Sequence, residues 1–171
     1  VPCYVTLLGK QLARVIGKGG AIIKELREES GAAINILDRQ LPAAVQQSGL
    51  QVAFVKGSDA AVHSGLTGLV RTARGPQALR GLEGEDEDLG FGLLVPQKCQ
   101  PYLSSNVLEG ADCQMSVLPV EGLPRHIRLH LEGPNNASMQ VAAWRLHELV
   151  LRLARRGVLS DRDFDLQDAA W

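Results

Sequence analysis

This sequence has no apolar run near 18 residues, so no stretch of it reads as a membrane-spanning helix. Aromatic residues make up only 4% of it, which leaves few rings on which bases could stack. Its three cysteines, Cys3, Cys99 and Cys113, are odd in number and lack the paired spacing of a metal site. They read as reduced, buried thiols of an intracellular protein, nuclear or cytoplasmic. The four histidines lack ligand partners at metal spacing, and neither a Ser-His-Asp set nor a working carboxylate pair can be argued. No catalytic residue, metal or cofactor is therefore expected, and the chain reads as a non-enzyme. It opens at Val1 without a methionine or a basic-then-apolar leader, and reads as a piece of a longer protein.

What is present is enough for real cores. The 171 residues, 45% of them hydrophobic, suit one medium domain or two small ones. The net charge of −1 hides an asymmetry: residues 1–75 carry nine basic side chains against five acidic, a net of +4, and the remainder is −5. A polyanion would find its attraction in the first half.

The most informative stretch is Val15-Ile16-Gly17-Lys18-Gly19-Gly20-Ala21-Ile22-Ile23-Lys24-Glu25-Leu26. The glycines permit backbone angles that a Cβ forbids and leave the chain bare for close approach. The amphipathic helix that follows turns its unpaired N–H groups and positive dipole end back at the loop. Lys18 adds a full charge, and the ensemble suits a phosphate. A nucleotide-hydrolysing P-loop needs G-x-x-x-x-G-K-[ST], but Ala21-Ile22 stand where its hydroxyl belongs. A dinucleotide fold needs a strand before the glycines, where this chain reads as helix. A G-x-x-G loop between two short helices remains, the arrangement that clamps a nucleic-acid backbone.

Gln11 through Gly20, then Ile23-Lys24-Glu25-Leu26-Arg27-Glu28-Glu29-Ser30-Gly31-Ala32 and Ile34-Asn35-Ile36, resembles a type I KH domain. It is most similar to those of the poly(C)-binding and heterogeneous nuclear ribonucleoprotein K kind, over roughly residues 3 to 74. The resemblance implies that Gly17, Lys18, Gly19 and Gly20 hold successive phosphates of a single strand. It also implies a narrow groove floored by the first two helices and the second strand. On that mapping Val15, Ile16, Ile23, Ile34 and Ile36 are groove or subjacent core positions. Arg14 and Lys24 are placed to reach phosphates or base edges, or to remain solvated surface charge. Similar domains often carry a basic residue where this chain has Ala33, so the best-placed pyrimidine reader is missing, and Arg39 stands nearby as a substitute.

Strands are expected at Cys3–Leu8, Ala33–Leu37 and Leu50–Val55, helices at Lys10–Ile16 and after Gly20, a variable loop from Asp38 to Gly49, and a capped helix after Ser58. Residues 75–90 carry an acidic run and read as a linker. Beyond it, strands at Phe91–Pro96, Asp112–Leu118 and His126–Leu131 and a long helix after Asn136 repeat the first half in outline. The interval from Ile16 to Gly31 is 15 steps, but from Leu103 to Gly110 only 7. The eight missing residues amount to the loop and about two turns of helix. This second half, residues 91–157, resembles a degenerate KH module without its clamp, and residues 158–171 read as an acidic tail. The expected fold class is α+β, two KH type I-like modules of a three-stranded antiparallel sheet on helices.

In the long helix Ala142, Leu146, Leu149, Val150 and Leu153 line one side, while Trp144, with Val141 and Leu151, marks a second apolar face. Either that face packs on the first half or on another copy of the chain, or Trp144 covers the edge of its own core. Two functions follow: binding of single-stranded RNA or DNA by the first half, or a protein-interaction scaffold built from both. No membrane partner is expected.

Overall fold

The computed structural model describes residues 1–38, 40–75 and 90–166. The acidic linker reading and the candidate Arg39 lie outside the described residues, apart from the linker's two ends, Gly75 and Gly90.

The first half runs β1 (Cys3–Leu7), α1 (Gln11–Ile16), a 3-10 turn (Lys18–Gly20), α2 (Ala21–Ser30), β2 (Ala33–Leu37), α3 (Ala43–Ser48), β3 (Gln51–Lys56) and α4 (Asp59–Arg74). The second runs β4 (Phe91–Pro96), two 3-10 turns (Gln97–Tyr102 and Ser105–Leu108), β5 (Gln114–Pro119), β6 (His126–Glu132), α5 (Asn136–Arg155) and a last 3-10 turn (Asp161–Phe164). Local chemistry sets several boundaries. Gly31 closes α2 in the left-handed region at φ 72°, and the Ser58 hydroxyl accepts the N–H of Ala61 to cap α4.

The strands form one antiparallel six-stranded sheet in the order β2-β3-β1-β4-β6-β5. The order reads the same from both ends once β4, β5 and β6 are matched to β1, β2 and β3. The halves are joined at the centre, where β1 pairs with β4 in the register Tyr4–Leu94, Val5–Leu93 and Thr6–Gly92. Both three-strand sets expected from the sequence are thus halves of a single sheet. Alternation along the strands gives it two faces. Cys3, Val5, Leu7, Ile34, Val55, Leu93, Leu129 and Leu131 point to the helical side and form the main core with α1, α2, α4 and α5.

Helix α5 lies antiparallel on α4: Arg155 pairs with Asp59 at 2.8 Å, and the Gln140 amide donates to Thr67 O at 3.1 Å. The Trp144 ring meets His63 of α4 edge-on, 4.7 Å between centroids. Leu151 is buried, whereas Val141 stays 45% exposed, so the second apolar face is narrower than its sequence pattern. Arg74, the last residue of α4, is 2% exposed and donates to Asn136 Oδ1 at 2.9 Å and to Gly133 O at 3.2 Å.

The variable loop differs from its sequence reading. Its polar composition hides a helix, α3, because Pro42 sets the chain entering it and Leu41 and Val45 are buried. They pack on the other face of the sheet with Val52, Leu94, Val120, Leu123 and Leu166 in a second core. The stretch read as an acidic tail also begins with structure, since Leu159, Phe164 and Leu166 are buried and Tyr4 Oη donates to Phe164 O at 2.8 Å. Among the described residues no helix is long and apolar enough to cross a membrane.

Candidate nucleic-acid interface

Helix α1 ends at Gly17, whose N–H donates to Ala13 O at 2.9 Å. Gly17 then adopts φ 73°, ψ 179°, a conformation closed to other residues, and a Cβ there would lie 2.2 Å from Ile22 Cγ1. Gly17 is therefore fixed both by its backbone angles and by the side chain beneath it. Gly19 (φ 64°) and Gly20 (φ 80°) are also left-handed, but nothing lies within 4 Å of where their Cβ atoms would be. These two face open space, and a ligand could approach their backbone closely.

Behind them α2 begins with Gly20 as its cap, which supplies no side-chain oxygen. The Ala21 N–H turns back to Lys18 O, and no side chain caps the rest of the first turn, at the positive end of a ten-residue helix. Lys18 stands exposed at the loop tip, and Lys24 is exposed on the outer side of α2. The chemistry suits an anionic oxygen, a phosphate above all.

The apolar candidates divide. Val15, Ile23 and Ile34 are buried in the main core. Ile16 and Ile36 are half-buried and form surface next to the loop and on β2. Arg14 is half-buried, donates to Ala73 O at 3.2 Å and lies beside Gly75, which places its charge at the C-terminal end of α4. That position complements the helix dipole and ties α1 to α4.

Two residues outside the candidate set belong to this surface. Ile22, the third member of the apolar run on α2, is half-buried under Gly17. Arg27 donates its Nε to Ile34 O at 2.7 Å and brings Nη2 within 3.5 Å of Asn35 Oδ1, so its guanidinium lies along β2, an edge strand of the sheet. The sequence signal for Arg27 was its last-turn position on α2, one helix face round from Leu26. Alone it reads as one of several surface charges.

In the second half the 3-10 turns Gln97–Tyr102 and Ser105–Leu108 stand where α1, the loop and α2 stand in the first. The lysine of these turns, Lys98, pairs with Asp163 at 3.1 Å. Buried titratable groups lie away from the loop. Burial pushes the Cys3 and Cys99 thiols up to about 12, aided at Cys99 by the charge of Asp163, which leaves both protonated. No group of three or more His, Cys, Asp or Glu among the described residues could hold a metal.

The KH domain family model matches residues 5–67, a span that runs from β1 through the glycine loop into α4. Among solved structures, the chain is similar at 14% identity and TM-score 0.31 to one titled "Crystal structure of a/eIF2alpha-aDim2p-rRNA complex from Pyrococcus horikoshii OT3", over 91% of this chain and 93% of that one. No curated protein matches the chain.

Proposed function

We propose that this chain, whose residues 5–67 form a KH domain, binds single-stranded RNA through the Gly17–Gly20 loop and the adjoining groove. The observation that carries the reading is the uncapped start of α2 behind Gly19 and Gly20, with Lys18 beside it. Phosphates of one strand would be held by the loop amides and Lys18, with Lys24 in reach. Bases would lie over Ile16, Ile22 and Ile36. Arg27, lying along β2, is the side chain placed to read base edges. Direct hydrogen bonding rather than ring stacking would set preference, since the loop carries no aromatic residue.

The second half is a KH-like module without a clamp, and it serves as a rigid companion. Its strand order mirrors the first half, and its short turns replace the phosphate-holding elements. A scaffold role is the second reading, favoured by that same loss. Titration of fluorescent single-stranded RNA and DNA homopolymers at several salt concentrations tests both. For RNA we expect a log–log slope of roughly −1 to −3, about −0.7 for each phosphate contacted. Binding that ignores salt, or none to any homopolymer, would favour the scaffold.

A further inference from the structure

The second core lies on the face of the sheet opposite the helices, where the β2–β3 and β5–β6 connections meet. Val120 and Leu123, from the β5–β6 connection, are buried in one cluster with Leu41 and Val45 of the β2–β3 connection. The approach is close: a Cβ on Gly122 would lie 2.9 Å from Ala44 Cβ and 3.2 Å from Val45 N. Leu41 is linked back to β2 through a tight turn, in which its N–H donates to Asp38 O at 3.1 Å and the Asp38 N–H donates to Gln40 Oε1 at 3.0 Å. Leu37, the last residue of β2, packs on the same cluster.

We infer that Leu123, in the second half, is a positioning residue for RNA binding by the first, because it seats Leu41 and so sets the end of β2 that borders the groove. This inference rests on the binding reading above. Leu123 lies in the β5–β6 connection, outside the candidate interface of the first half. Its effect passes through a packed cluster, against which Leu37 lies, and through the hydrogen-bonded turn between Asp38 and Leu41. The second half thus contributes to a groove in which it has no residue, and its lost clamp does not make it dispensable.

The test uses the full chain and a labelled single-stranded oligocytidine RNA. Leu123→Ala is compared with Leu153→Ala, which truncates a buried leucine of the main core on α5. We expect Leu123→Ala to weaken binding about tenfold, the scale of an ordinary coupling between sites, with an unchanged salt slope. Leu153→Ala should leave affinity within about twofold of the parent at temperatures where both are folded. Leu166→Ala, at the end of the described chain and in the same cluster, gives a milder second variant if Leu123→Ala fails to fold. Backbone amide shifts of Asn35, Ile36 and Leu37 should move in both cluster variants and stay put in Leu153→Ala. Unmoved β2 amides, or cluster variants that bind like the parent, overturn the inference. If instead Lys18→Asp with Gly19→Asp leaves parental affinity intact, the clamp reading has failed, and the β2 amides alone decide whether Leu123 positions the strand.

Discussion

Thr6 and Gly92 lie directly opposite each other in the strand pair that joins the two halves, and a Cβ on Gly92 would sit 2.0 Å from Thr6 Oγ1. Gly92 does not need a left-handed backbone. It is required because the buried threonine hydroxyl fills the space a side chain would take.

Gly92→Ala is therefore expected to destabilise the chain by about 1–3 kcal/mol through overpacking. Thr6→Ala removes the obstructing oxygen and leaves the nearest neighbour, the Cβ at position 6, at 3.5 Å. The double variant should recover part of the loss. Urea melts of the four proteins of this cycle measure the coupling. Additive effects would show that the two positions are independent.

At the loop, Lys18→Asp with Gly19→Asp should abolish RNA binding with little change in melting. Position 19 has open space for a side chain, and aspartate tolerates the left-handed region better than most residues. Two carboxylates at the mouth of α2 would repel phosphate. Gly17→Ala behaves differently, since its Cβ meets Ile22, and it should lower the melting temperature as well. Fluorescence anisotropy beside differential scanning calorimetry separates the two effects.

Arg74→Ala should cost roughly 2–4 kcal/mol, because it leaves Gly133 O and Asn136 Oδ1 without that donor and opens a void. Arg74→Lys should not rescue it, since an ammonium cannot reproduce a guanidinium fork that reaches two acceptors. By the same reasoning a fragment ending at residue 75 should melt well below the intact chain.

Stability should fall in mild acid. Burial holds the His126 imidazole down to about 4, opposed by its hydrogen bond to the Asp163 backbone carbonyl and aided by Arg125, and burial likewise holds His147 at about 4. Among the described residues Nε2 of His126 finds no hydrogen-bond partner. Above pH ~6.5 both residues are neutral, folded or unfolded. As the pH drops from ~6.5 towards 4 the unfolded chain takes up protons first, and each histidine removes up to about 3 kcal/mol. Asp163 acts lower: burial raises its pKa, but Ser160 and Lys98 outweigh that and hold it below the ordinary value, so its contribution is lost only at still lower pH. Denaturant melts at pH 7, 5.5 and 4 should show the decline, and His147→Gln should flatten it by about half. A pH-independent midpoint over that range would contradict neutral burial of both histidines.

The glycine loop, its flanking helices and the strands of both halves were legible in the sequence because their signals are local. A left-handed glycine, an apolar stripe at helical spacing and an alternating strand act within a few residues. The Gly17–Gly20 loop could be named on that basis, whereas Ile36 entered only through the resemblance to a KH domain. The burial of Val15, Ile23 and Ile34 could not be told from groove lining, since both need the same side chains. Arg27 read as a surface charge, and Arg14 as either a phosphate or base contact or a surface charge, until the fold put one along β2 and the other on the end of α4. Helix α3 escaped notice because its stabilising contacts lie about 80 residues away in sequence, at Gly122 and Leu123, and its own composition is polar. Neighbouring residues alone placed the glycine loop, its lysine and the start of α2, since backbone freedom and helix onset belong to a short run of chain. Only the tertiary structure decided that the halves share one sheet and a second core, because strand edges and apolar faces choose partners by what else is left to cover them.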